Sequence, residues 1–118
     1  VTRRVLVVDD SAVSREVIVS MLRAIDGIEI VQAVDGADAL PKLTGIDLLI
    51  TDLMMPGLDG RELVAIIRAR VDAPHLPIVV LTTRLNAASA ATAGADACIT
   101  KPIDRAQLVA VVRRLLIT

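Results

Sequence analysis

Polar and apolar positions along the chain alternate between two rhythms. Short runs in which nearly every residue is apolar, Arg4 to Val8, Ile28 to Val34, Ile46 to Thr51, Pro77 to Leu81 and a weaker Ala97 to Thr100, read as strands. Their apolarity is unbroken rather than alternating, which predicts strands covered on both faces, as in a parallel sheet between two helix layers. Between these runs apolar residues recur at helical spacing. Val13, Val17, Ile18, Met21, Leu22 and Ile25 share one predicted face, with Asp10 or Ser11 placed to cap its start. Leu63, Ile66 and Ile67 mark another helix, opened by Asp59 with Glu62 three residues later, the spacing of a capping box. Asp104 and Gln107 make the same pair ahead of Leu108, Val111, Val112, Leu115 and Leu116. Two weaker helical segments complete the series: Ala37 to Leu43, which Pro41 should shorten or kink, and the alanine-rich Ala87 to Ala93, ending at Gly94 as its C-terminal cap.

Five alternating βα units with short connections imply right-handed crossovers and an α/β fold. The expected architecture is a doubly wound five-stranded parallel sheet, flavodoxin-like (βα)5, with strand order 2-1-3-4-5. No Gly/Ser/Pro-rich stretch divides the chain, so residues 1–118 read as one domain. Sheets of this kind place their sites beyond the carboxyl ends of the strands. Asp9 and Asp10 follow the first run, Asp52 ends the third, Thr82 and Thr83 follow the fourth and Lys101 follows the fifth. The reactive candidates therefore share one edge.

Composition narrows the function classes. The chain is 54% hydrophobic yet has no Phe, Tyr or Trp, so its core must be built from Val, Leu, Ile, Ala and Met. The longest apolar runs fall far short of the roughly 18 to 20 residues that cross a membrane, and no signal-peptide pattern opens the chain. A single cysteine cannot form an internal disulfide, and a cytoplasmic setting is expected. A formal charge of −1, with arginine pairs Arg3/Arg4, Arg68/Arg70 and Arg113/Arg114 scattered on separate segments, argues against direct nucleic-acid binding. A start at Val1 and an end just after a helical pattern are what a piece of a longer protein would show.

Three carboxylates gathered on one edge repel one another unless a cation is present. Oxygen donors without nearby His or Cys favour Mg²⁺, which takes one or two carboxylates and keeps places for water and phosphate oxygens. Lys101 adds a mobile positive charge and Thr82 a hydroxyl donor. A carboxylate nucleophile, Mg²⁺, a lysine and a threonine together are what phosphoryl transfer to an aspartate requires.

At this point the chain resembles the CheY-like receiver domains of two-component signalling, over essentially its whole length. Val5-Leu-Val-Val-Asp-Asp-Ser11 is similar to the family's acidic pair, and Thr51-Asp-Leu-Met-Met-Pro-Gly-Leu-Asp-Gly60 to its phosphorylation loop. Leu81-Thr82 matches its switch threonine, and Ala93-Gly-Ala-Asp96 with Lys101-Pro102 its closing signature. The resemblance implies that Asp52 accepts a phosphoryl group from a histidine kinase or histidine phosphotransfer protein. It also implies that Asp10, Asp52 and the backbone carbonyl of Met54 bind Mg²⁺ directly, with Asp9 acting through water. Lys101 would pair with the phosphoryl group or Asp52, Thr82 would move to bond a phosphoryl oxygen, and Lys101-Pro102 would be cis. Such a domain catalyses only its own phosphorylation and dephosphorylation, and a kinase or effector domain can be attached to it.

Each residue also has a plainer reading. Asp9-Asp10-Ser11 could be a helix cap alone, Asp52 a loop opener, Thr82 a strand residue and Lys101 a solvated loop lysine; their joint placement favours function. His75 reads as solvent-facing, Cys98 as a buried small hydrophobe and Met54-Met55 as packing. Some positions depart from the family's pattern. Cys98 and Ile103 stand where aromatics are usual, Thr83 is bulkier than usual, Arg84 lies where side chains tune dephosphorylation, and the segment from Thr82 to Gly94 is about one helical turn short. Two other classes stay open: a Mg²⁺-dependent phosphatase with an aspartyl-phosphate intermediate, against which Asp9-Asp10-Ser11 lacks a second acid two residues on, and a receiver-shaped interaction module with altered or phosphate-independent output.

Overall fold

The computed structural model describes residues 2–70, 75–83 and 94–117. Each aliphatic run forms a strand: β1 Arg3–Val8, β2 Ile28–Ala33, β3 Leu48–Asp52, β4 Ile78–Thr82 and β5 Ala97–Thr100. They make one parallel sheet in the order β2-β1-β3-β4-β5, the doubly wound topology that the alternation of runs predicts. Period-two alternation sends successive side chains to opposite faces, and both faces are covered. Val5, Val7, Leu48, Ile50, Val79 and Leu81 join one buried cluster, while Leu6, Val8, Leu49, Ile78 and Val80 join the other. With no aromatic to fill space, the core depends on aliphatic residues, each fully buried Leu or Ile contributing roughly 1.5–3 kcal/mol.

Four α-helices are present among the described residues. Helix α1 (Ala12–Leu22) is capped by Ser11, whose side chain accepts from Ser14 N–H. It buries Ile18, Val19 and Leu22, whereas Val13 and Val17 are 77% and 47% exposed. The expected face was therefore too wide. The buried stripe runs through Ile18, Leu22 and Ile25, and at about 3.6 residues per turn Val13 falls on the side of the helix opposite Leu22, with Val17 turned most of the way towards that side. Helix α2 (Gly36–Ala39) is a single turn that tightens into a 3₁₀ turn at Leu40–Lys42, with Pro41 at its start, as a ring lacking an N–H requires. Helix α3 (Gly60–Ala69) carries both halves of the Asp59–Glu62 capping box, at 2.9 and 3.3 Å. Helix α4 (Arg105–Leu116) is capped by Asp104, which accepts from Gln107 N–H, and buries Leu108, Val112 and Leu116.

The expected helix at 87–93 and Arg84 lie outside the described residues; Gly94 just beyond has φ +98°. His75 is exposed, Met55 is buried and Met54 is 58% exposed, so only one of the two methionines packs. Cys98 is half-buried and leans on the α3-side cluster, and burial pushes its thiol pKa up.

Gly60 shows how closely the helix layer presses on the strand that carries Asp52. A Cβ at Gly60 would stand 2.1 Å from the Asp52 carbonyl oxygen and 2.8 Å from Leu53 Cα, both backbone atoms with no room to give. Gly60→Ala is expected to lower the unfolding free energy by about 1–3 kcal/mol, measured by urea unfolding followed by far-ultraviolet circular dichroism; an unchanged midpoint would contradict this close approach.

Candidate functional site

Parallel pairing brings the carboxyl ends of the strands into line. Val8 is in register with Thr51, Asp52 with Leu81 and Thr82 with Thr100. The next residues continue the ladder: Leu53 N–H donates to Leu81 O at 3.0 Å and Lys101 N–H to Thr82 O at 2.8 Å. Asp9, Asp10, Asp52, Thr82 and Lys101 therefore reach one edge because the chain stays paired until the sheet ends.

The Lys101 ammonium donates to Asp52 Oδ2 at 3.0 Å, a contact made across 49 positions of sequence. The two side chains are 33% and 10% exposed, so the pair is largely shielded from water. Lys101-Pro102 is cis. Asp9 is fully buried; its Oδ1 accepts from Ser11 N–H at 2.9 Å, and its backbone N–H donates to Ala33 O at 3.2 Å. Asp10 beside it is exposed. One carboxylate oxygen from each of Asp9, Asp10 and Asp52 lies within 4.8 Å of the others.

Burial pushes the Asp52 carboxyl above its ordinary value of 3.8. Lys101 pulls it back through its hydrogen bond and charge, Asp9 pushes it up by like charge, and a hydrogen bond to the Met54 backbone lowers it. Two buried side-chain oxygens, Asp9 Oδ2 and Thr82 Oγ1, have no hydrogen-bond partner among the described residues. Leaving such a group unpaired costs about 1–3 kcal/mol. Both belong to strand ends that frame Asp52.

The donor set fits a hard divalent cation. Three carboxylate oxygens are close, and among the described residues no nitrogen or sulfur ligand joins the cluster and the buried acceptor Asp9 Oδ2 has no donor. Zn²⁺ sites, by contrast, are built mainly from His and Cys.

A response regulator receiver domain model matches residues 5–113, and the chain belongs to that family. It is 36% identical over 110 residues to chemotaxis protein CheY-3 of Vibrio cholerae, covering 89% of this chain and 85% of that protein. It is 41% identical over 107 residues to protein-glutamate methylesterase/protein-glutamine glutaminase 5 of Myxococcus xanthus, covering 84% of this chain but 30% of that longer protein. Among solved structures, the receiver domain of the sensor histidine kinase PA1611 from Pseudomonas aeruginosa, with a magnesium ion coordinated in its active site cleft, superposes with a TM-score of 0.90 at 28% identity, covering 100% of both chains. No helix among the described residues is long and apolar enough to cross a membrane.

Sequence reasoning passed over Arg15, whose guanidinium donates to the Asp9 carbonyl oxygen at 2.7 Å and to Gln32 Oε1 at 3.1 Å. Its signal was a position four residues into α1, from which a side chain leaning toward the helix start reaches the acidic pair. Gly36 was passed over too. Its N–H donates to Leu58 O at 3.2 Å, and a Cβ there would stand 2.5 Å from that oxygen, so the start of α2 is seated against the loop following Asp52.

The raised Asp52 carboxyl has a definite sign for stability. A folded-state value above the unfolded one contributes stability that is full below the ordinary carboxylate range and is lost as pH rises through the folded value. Without divalent cations, Asp52→Asn is therefore expected to raise the melting temperature near neutral pH, with the gain shrinking as pH falls into the carboxylate range. A loss of stability at neutral pH would show that the Lys101 pairing outweighs burial.

Proposed function

We propose that this chain is one receiver domain in which Asp52 accepts a phosphoryl group from a phosphohistidine on a partner histidine kinase or phosphotransfer protein. The observation that carries this reading is the shielded Asp52–Lys101 pair, 3.0 Å apart, beside buried oxygens of Asp9 and Thr82 that lack partners among the described residues. Asp10, Asp52 and the Met54 carbonyl would hold Mg²⁺, with Asp9 acting through water. When bound, Mg²⁺ offsets negative charge between the carboxylates and the incoming phosphoryl oxygens.

The residues divide the work. The Asp52 carboxylate attacks phosphorus, the bond to the histidine nitrogen breaks, and an aspartyl phosphate forms while the histidine keeps the released electron pair. The Lys101 ammonium already stands against the nucleophile and passes from Asp52 to a phosphoryl oxygen. The Thr82 hydroxyl, buried and without a partner among the described residues, gains an acceptor when that oxygen arrives, so its bond favours the phosphorylated conformation over the resting one. Water later cleaves the acyl phosphate and restores Asp52. The chain acts on itself and does not turn over a separate substrate.

The wild-type chain incubated with Mg²⁺ and acetyl phosphate should gain the mass of one phosphoryl group, and the gain should vanish with EDTA or in Asp52→Asn. Beryllofluoride should give a non-covalent adduct with the same dependence. An adduct that persists in Asp52→Asn would overturn the assignment of the acceptor, and sustained hydrolysis of an added phosphate ester would favour a phosphatase instead.

A further inference from the structure

We propose that Arg15 is a positioning residue for the cation site, holding the peptide between Asp9 and Asp10 so that both carboxylates present to one centre. The inference rests on the Mg²⁺ reading above and adds to it a residue outside the acidic cluster.

Asp9 is held at nearly every polar atom it owns. Its N–H is bonded to Ala33 O, its Oδ1 to Ser11 N–H, and its carbonyl oxygen to the Arg15 guanidinium at 2.7 Å, leaving Oδ2 as the buried oxygen without a partner among the described residues. The Asp9 carbonyl belongs to the peptide that links Asp9 to Asp10. Fixing that oxygen fixes the peptide plane, and the plane sets the direction in which the exposed Asp10 leaves the backbone.

Arg15 can do this because it is anchored at both its backbone and its side chain. It sits in the second turn of α1, where its own N–H donates to Ser11 O at 2.9 Å, and its side chain runs back over the helix start. Its Nε donates to Gln32 Oε1 at 3.1 Å, near the end of β2. The Gln32 carbonyl oxygen in turn accepts from Lys42 Nζ at 2.8 Å, which also pairs with Asp38 at 3.1 Å. The planar fork of the guanidinium spans the ends of β1 and β2 at once, which a lysine's single ammonium does less well.

The charge on Arg15 makes the role separable from simple electrostatics. A guanidinium near a cation site opposes cation binding through its field, so neutralising it should tighten binding if charge were all that mattered. Positioning predicts the opposite sign.

The experiment is Mg²⁺ binding to the full chain by titration calorimetry, since no aromatic residue is present to report by fluorescence, paired with melting temperatures in EDTA. Arg15→Gln should weaken Mg²⁺ binding roughly tenfold, the scale on which residues that orient metal ligands act, and Arg15→Lys should recover part of the loss. Gln32→Ala, which removes one anchor of the guanidinium and leaves its charge, should weaken binding by a smaller factor and serves if Arg15→Gln does not fold. Unchanged or tighter binding in these variants, whatever the melting temperatures, would overturn the inference while leaving the function standing. A wild-type chain that takes up no Mg²⁺ would overturn both.

Discussion

Like charge at the end of a parallel sheet is the constraint on which this structure turns. Parallel pairing carries Asp9 and Asp52 to adjacent strand ends, Asp10 follows, and an oxygen from each comes within 4.8 Å of the others. Water would screen such a cluster on an open surface, but Asp9 is fully buried and Asp52 nearly so. Lys101, delivered by the neighbouring pairing of β4 and β5, answers only one carboxylate. The site is thus built with a deficit of positive charge, and a cation or a phosphoryl group held with one is the natural complement.

The rest of the fold keeps that deficit in place. Two aliphatic clusters clamp the sheet on both faces, so strand ends cannot splay to separate the carboxylates. Gly60 lets α3 press against the backbone of Asp52, and Gly36 seats α2 against Leu58 in the loop that follows it. Ser11, Ala33 and Arg15 hold Asp9 at three atoms. Preorganisation of this kind lets charge develop in transfer without the protein having to reorganise. Membership of the receiver family accords with the arrangement, and the Myxococcus xanthus relative shows that a matching segment also occurs within a longer protein.

Most of the sheet was legible in the sequence because strands buried on both faces leave unbroken aliphatic runs, which polar segments interrupt cleanly. Boundaries slipped by a residue or two: Ile46 lies before β3, and Thr82 completes β4. The capping residues Asp59 and Asp104 were legible from spacing alone, since the N-cap contact is local. The width of the α1 face was not, because six apolar positions suggest a broad face, whereas only the side carrying Ile18 and Leu22 is packed and the two valines are left exposed. The site's membership could be read from strand ends, whereas Arg15 and Gly36 act on backbone oxygens, those of Asp9 and Leu58, and only Arg15's place early in α1 hinted at its contact. Cys98 packs half-buried against the α3-side cluster, a thiol at the position where the family resemblance expects an aromatic ring.

If Asp52 sits in a charge-deficient site that a divalent cation completes, a carboxyl-carbon NMR titration of Asp52 will register it. Without divalent ions the Asp52 carboxyl should titrate above its ordinary value of 3.8. Saturating Mg²⁺ should shift that titration downward, because the cation stabilises the ionised form. An ordinary value unmoved by Mg²⁺ would contradict the account.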